Sequence, residues 1–170
     1  VPPREPAVTA DDATARLIAR LRETGRTIAA AESLTGGELT AELTRVPGAS
    51  AVVVGGAVVY ATALKHSLLG VDAELLAAEG PVHPRVAAEL AEGVRERLAV
   101  DGRMVDVGVA TTGVAGPDPQ GGRPVGTVFV GIATESGTRV VELALTGDRA
   151  RIRRTTVERA IAELVVETGA

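Results

Sequence analysis

The chain has no cysteine and no tryptophan, and its only aromatic residues are Tyr60 and Phe129. Without cysteine there is no disulfide, no thiolate metal site and no cysteine nucleophile. With two aromatics there is nothing on which bases could stack, and a formal net charge of -4 provides no basic field for a phosphate backbone. Nucleic acid is therefore not an expected partner. The histidines His66 and His83 lack metal-ligand spacing, so neither a metal nor another cofactor is expected, and His66 reads as a solvated or half-packed side chain. Long apolar runs are also missing. The longest, Ala51 to Ala61, is interrupted by Gly55-Gly56 and is too short to cross a bilayer. The first residues, Val1-Pro2-Pro3-Arg4-Glu5-Pro6, contain no apolar signal-like stretch, and residues 1–8 read as a flexible Pro-rich leader. No membrane partner is expected, and the cytoplasm is the default location.

Lysine is the scarcest charge. Of the 18 basic residues, Lys65 is the single lysine and the rest are arginine. Arginine stays charged, whereas a buried lysine can lose its proton and act as a base. The bland alternative is one surface lysine that survived by chance.

What is present is aliphatic. Hydrophobic residues make up 45% of the chain, enough for one compact core over residues 9–170. Asp11-Asp12 can cap a helix running to about Glu23, stopped by Thr24-Gly25. Thr27 to Ala31 reads as a short strand, and a helix follows from about Gly37 to Arg45. Ala51 to Tyr60 is a Val-rich strand with Gly55-Gly56 as a bulge or close approach. A helix from Thr62 should carry Lys65 in its first turn. Asp72 to Glu79 and a longer run opened by Pro84 read as further helices. Strands are expected from Met104 to Thr111, Val125 to Thr134 and Arg139 to Leu145, the last two joined by a hairpin. A final helix should run from Asp148 to Glu167. This alternation predicts an α/β single domain, a three-layer sandwich with a mixed β-sheet covered by helices.

Three places carry chemistry. Ser33 falls at a strand-to-helix turn, where the amides around Thr35, Gly36 and Gly37 could hold an anion, although Ser33 or Thr35 could equally be a plain helix cap. The spacing is not G-x-S-x-G. The Gly/Pro-rich stretch Thr112 to Gly122 follows a strand but matches no nucleotide fingerprint, so on pattern alone it reads as a flexible connection, and Asp118 as a turn residue rather than a metal ligand. Four arginines, Arg149, Arg151, Arg153 and Arg154, crowd the positive end of the last helix. Arg154 with Glu158 and Arg159 with Glu163 fit surface pairs, while Arg149 and Arg151 have no local partner and suggest a phosphate or carboxylate site.

Taken together, Ala31-Glu32-Ser33-x-Thr35-Gly36-Gly37, Pro47-Gly48-Ala49-Ser50, Val59-Tyr60 with Lys65, Gly113 to Asp118, Arg123 to Val128 and Gly147-Asp148-Arg149 resemble the CinA C-terminal domain family. The resemblance runs in order from about residue 13 to 165. It implies a nicotinamide-nucleotide amidohydrolase, which converts nicotinamide mononucleotide and water to nicotinate mononucleotide and ammonia. It also implies a small-molecule nucleotide as the partner and a homo-oligomer. The chain departs from the family at Leu34, Thr62, His83 and Ala49. Of these, Thr62 and His83 would bear on substrate preference or rate.

The expected mechanism follows from both lines of reasoning. Ser33 attacks the carboxamide and Lys65 takes its proton, with Ser50 or Tyr60 as a relay. The oxyanion is held by amides near Gly36 and Gly37 or by a turn at Thr111-Thr112-Gly113. Arg149 binds the 5′-phosphate. Two other readings remain open: a degenerate nucleotide-binding regulatory module, and a serine amidohydrolase acting on another carboxamide.

Overall fold

The computed structural model of the protein describes residues 12–170; the expected leader lies outside them. Five strands form one sheet in the order β2-β1-β3-β4-β5. They are β1 (Ile28–Glu32), β2 (Val53–Val58), β3 (Val107–Gly113), β4 (Thr127–Thr134) and β5 (Gly137–Ala144). β1 pairs parallel with both β2 and β3, whereas β4 pairs antiparallel with β3 and with β5. The sheet is mixed, as the alternation of elements predicts.

Helices cover both faces. α1 (Ala13–Thr24), α2 (Glu38–Thr44) and α6 (Arg149–Thr168) contact one another on one side. α3 (Thr62–Leu69), α4 (Ala73–Glu79) and α5 (Pro84–Arg97) lie on the other, with α5 packed along β1, β3 and β4. The caps follow the sequence. Asp12, Asp72 and Asp148 accept first-turn amides of α1, α4 and α6, and Gly25 and Gly70 close α1 and α3 in left-handed geometry.

The strand sequences set how close each layer comes. Toward α1, α2 and α6 the sheet presents Ile28, Val107, Val109, Val128, Val130 and Ile132. Toward α5 the same strands present small residues, including Ala29, Ala31, Ala110 and Ala133. A Cβ at Gly108 or Gly131 would collide with the α5 carbonyls of Ala91 and Ala87, so α5 lies almost on the backbone of the sheet. The Gly55-Gly56 pair behaves as its pattern suggested. The β1–β2 register shifts there, past Val54, and a Cβ on Gly56 would strike Thr40 of α2.

The chain crosses from β1 to β2 through α2 on one face, and from β2 to β3 through α5 on the other. β1 is therefore the point where the winding reverses. Ligands in such sheets bind beyond the carboxyl ends of the strands at that point.

Candidate active site

Ser33 is the first residue after β1, at that reversal. Its amide donates to Thr111 O of β3 at 3.0 Å. Lys65 sits in α3, and its side chain is completely buried (0% exposed). Its Nζ lies 3.0 Å from Ser33 Oγ and 2.7 Å from Val59 O, the carbonyl that follows β2. Burial lowers the Lys65 pKa from 10.5 to about 8. Either protonation state can make both contacts. An ammonium donates to Val59 O and to Ser33 Oγ; a neutral amine donates to Val59 O and offers its lone pair to the Ser33 hydroxyl, the arrangement a base requires.

Around this pair is a cavity of about 120 Å³. Its walls include Thr62, Pro81, Val82 and Thr112, and the segment Val114 to Gln120 closes the other side. The stretch that reads as a flexible connection is thus a pocket wall. Thr112 and Gly113 belong to β3 rather than to a turn, and Thr112 Oγ1 donates to Pro81 O at 2.7 Å. At the rim, Arg149 donates to Gly116 O at 2.8 Å and to Tyr60 Oη at 3.0 Å. Both partners are neutral, and among the described residues no carboxylate pairs with Arg149. Tyr60 is 59% exposed and bonds to Arg149, not to Lys65.

Several expected residues lie elsewhere. Ser50 is in a 3-10 turn (Ala49–Ala51) that leads into β2 at its start. The register that pairs Val53 with Ile28 and Val58 with Glu32 puts Ser50 at the opposite end of the sheet from Ser33. That is about 15 Å along the strand, too far for a proton relay. The amides of Gly36 and Gly37 are already used, donating to Ser33 O at 3.1 Å and to Glu32 Oε2 at 3.0 Å. The Thr35 and Thr111 hydroxyls are buried behind the site, bonded to each other at 2.8 Å. His83 caps α5 by accepting from Arg85 N at 3.2 Å, outside the cavity. His66 is exposed, with Nδ1 2.8 Å from Val71 O. The Arg159–Glu163 pair forms at 3.9 Å; no Arg154–Glu158 pair does.

Glu32 explains why the helix start is closed to ligands. This fully buried carboxylate accepts from Gly37 N, Leu39 N, Thr40 N and Thr40 Oγ1 at 2.6–3.0 Å, so it occupies the open amides of α2 from within. A signal for it exists in the sequence: an acid that ends the apolar run Ile28 to Ala31 must find donors if it is buried. Arg153 has no such signal. It reaches from α6 to Leu34 O, Thr35 O and Glu38, more than a hundred residues away in sequence. Among the described residues there is no cluster of three or more acids or histidines suited to a metal.

The comparisons agree with this fold. Residues 10–167 match the CinA C-terminal domain, and the chain belongs to that family. It is 56% identical over 127 residues to a CinA-like protein of Frankia casuarinae, covering 75% of this chain and 28% of that one. It is 49% identical over 148 residues to a CinA-like protein of an Anaeromyxobacter species, covering 85% and 34%. The chain thus spans about a third of the length of these relatives. Among solved structures it is similar to the competence/damage inducible protein CihA of Agrobacterium tumefaciens, with a TM-score of 0.86 and 30% identity over 98% of this chain and 100% of that one. A CinA superfamily protein of Enterobacter cloacae superposes with a TM-score of 0.87 at 28% identity, over 97% and 95%.

Proposed function

We propose that this protein is a metal-independent nicotinamide-nucleotide amidohydrolase with Ser33 as nucleophile and Lys65 as base. The observation that carries the reading is the Ser33–Lys65 pair at 3.0 Å, with the lysine buried and its pKa near 8. Ser33 Oγ adds to the carboxamide carbon while its proton passes to Lys65 Nζ. The tetrahedral adduct collapses, the C–N bond breaks, and Lys65 returns the proton to the departing ammonia. Water then adds to the Ser33 ester with Lys65 again taking the proton. The C–Oγ bond breaks as Lys65 returns that proton to Ser33 Oγ, and the carboxylic acid leaves and ionises in solvent. No step needs a metal or cofactor.

The cavity is smaller than the roughly 300–1,000 Å³ of sites that enclose a drug-sized ligand. A cavity of about 120 Å³ suits an aromatic carboxamide, with ribose and phosphate extending over the rim. Arg149, tied only to neutral groups, is the cation available there for the phosphate, and Tyr60 holds it rather than relaying protons. The same small cavity favours, as the second reading, an amidohydrolase acting on another carboxamide. Assembly as a homo-oligomer follows from the family resemblance, and recycling of pyridine nucleotides implies the cytoplasm; sedimentation tests the first.

The deciding experiment measures ammonia release from nicotinamide mononucleotide in the presence of EDTA, for the wild type and for Lys65→Ala. Release by the wild type alone supports the reading. Release by both removes Lys65 from the mechanism. Calorimetric binding without release favours a regulatory module, and release only from other amides favours the second reading.

A further inference from the structure

The turn that follows Ser33 has its carbonyls tied and two of its amides free. Ser33 O accepts from Gly36 N at 3.1 Å, and Leu34 O accepts from Arg153 Nε at 3.0 Å. Thr35 O accepts from Arg153 Nη2 and from Glu38 N, both at 3.1 Å. The N–H groups of Leu34 and Thr35 have no acceptor among the described residues. These peptides are trans, so each C=O points away from the N–H across its plane. Holding the Ser33 carbonyl therefore aims the Leu34 N–H, and holding the Leu34 carbonyl aims the Thr35 N–H. Leu34 borders the cavity although its side chain lies in the core beneath α2 and α6, so its backbone is what a ligand would meet.

We propose that the Leu34 and Thr35 N–H groups are the oxyanion donors for the Ser33 reaction, and that Arg153 of α6 is the positioning residue. Through Leu34 O it aims the Thr35 N–H, and through Thr35 O it holds the Gly36 peptide, whose N–H fixes Ser33 O and so the Leu34 N–H. The inference rests on Ser33 being the nucleophile. As Ser33 Oγ adds, the carbonyl π pair moves onto oxygen, and donors already in place stabilise that charge without reorganising. The guanidinium suits the task because its planar fork spans two successive carbonyls while Nη2 also meets Glu38 Oε1 at 2.7 Å. A lysine ammonium, a single point on a flexible stem, does not span them. Gly36, in the turn beside the fork, has a φ of +59°, in the left-handed region that favours glycine, and a Cβ there would only come into contact with Arg153 Nη2 at 3.4 Å.

The test follows two reactions in the wild type, Arg153→Ala, Arg153→Lys and Glu38→Gln. One is labelling of Ser33 by an alkyl fluorophosphonate, read by intact mass; the other is ammonia release from nicotinamide mononucleotide. In labelling, the Ser33 Oγ–P bond forms, fluoride leaves, Lys65 takes the proton, and the phosphoryl oxygen occupies the oxyanion position. Arg153→Ala should slow labelling and lower kcat by roughly 10- to 100-fold, less than the ~10²–10³ for deleting a donor outright. KM and the pH at half-maximal rate should stay unchanged, and added guanidinium ion should restore part of the rate. Arg153→Lys should lose roughly tenfold or more, and it carries the test should the alanine variant fail to fold. Glu38→Gln, which breaks only the exposed ion pair, should stay within a factor of ~2.

A folded Arg153→Ala that labels at the wild-type rate overturns the proposal. So does a rate loss accompanied by a displaced pH profile, which would indicate general damage around Lys65. Wild type that labels but releases no ammonia overturns the choice of substrate and leaves the donors to be judged by labelling. Wild type that does not label removes the nucleophile and the inference together.

Discussion

Burial lowers the Lys65 pKa to about 8, against 10.5 for the free amine. If neutral Lys65 is the base, kcat/KM should rise about tenfold per pH unit below 8 and level off above it; a flat profile between pH 6 and 8 would exclude it. The same burial has a stability consequence of definite sign. Between about pH 8 and 10.5 the unfolded chain binds the proton that the folded chain has lost, so this group makes stability rise with pH across that window. Its penalty is fully present below pH 8, at about 3 kcal/mol. Lys65→Met should therefore abolish turnover yet stabilise the fold at pH 7. After allowing for the unsatisfied Val59 carbonyl, the gain should be about 1–2 kcal/mol. Urea unfolding at pH 7 and at pH 10 reads it, with the gain shrinking at the higher pH. The solitary lysine was legible in the sequence because composition singled it out. Its 3.0 Å approach to Ser33 was not, because that depends on where α3 meets the end of β1.

Element boundaries came close to the sequence pattern because local signals set them: the aspartate caps, Pro84 at the start of α5, and glycines at helix ends. The spacing between elements was less legible. Small residues on one face of β1, β3 and β4 let α5 approach the sheet backbone, a fact about pairs of elements rather than about one. Gly131→Ala tests it. The new Cβ would meet the Ala87 carbonyl, which cannot rotate away, so urea unfolding should show a loss of about 1–3 kcal/mol. Placement of the anion site at Gly36-Gly37 failed at this same scale. The pattern marked a helix start correctly, but Glu32, the last residue of β1, already accepts from the Gly37, Leu39 and Thr40 amides, and Ser33 O from that of Gly36.

At the scale of the whole molecule, Arg149 joins three segments distant in sequence: α6, the loop at Gly116 and Tyr60 beyond β2. If it receives the phosphate, Arg149→Ala should raise KM for the mononucleotide by roughly 10- to 100-fold, the loss of a charged hydrogen bond of ~1.5–3 kcal/mol. Its kcat should be little changed, and hydrolysis of an amide without phosphate should be unaffected. Equal effects on both substrates would assign Arg149 to holding the pocket wall instead.

The sequence by itself determined the class of fold, the order of the elements and the candidate Ser33, Lys65 and Arg149, because periodicity, caps and scarce residue types are local or compositional properties. Only the tertiary structure decided which of them meet. Strand register sends Ser50 to the far end of the sheet, the reversal of winding at β1 brings Lys65 to Ser33, and α6 delivers Arg153 to the carbonyls of Leu34 and Thr35. Proximity between residues far apart in the chain is set by how the layers pack, and no local stretch of sequence encodes it.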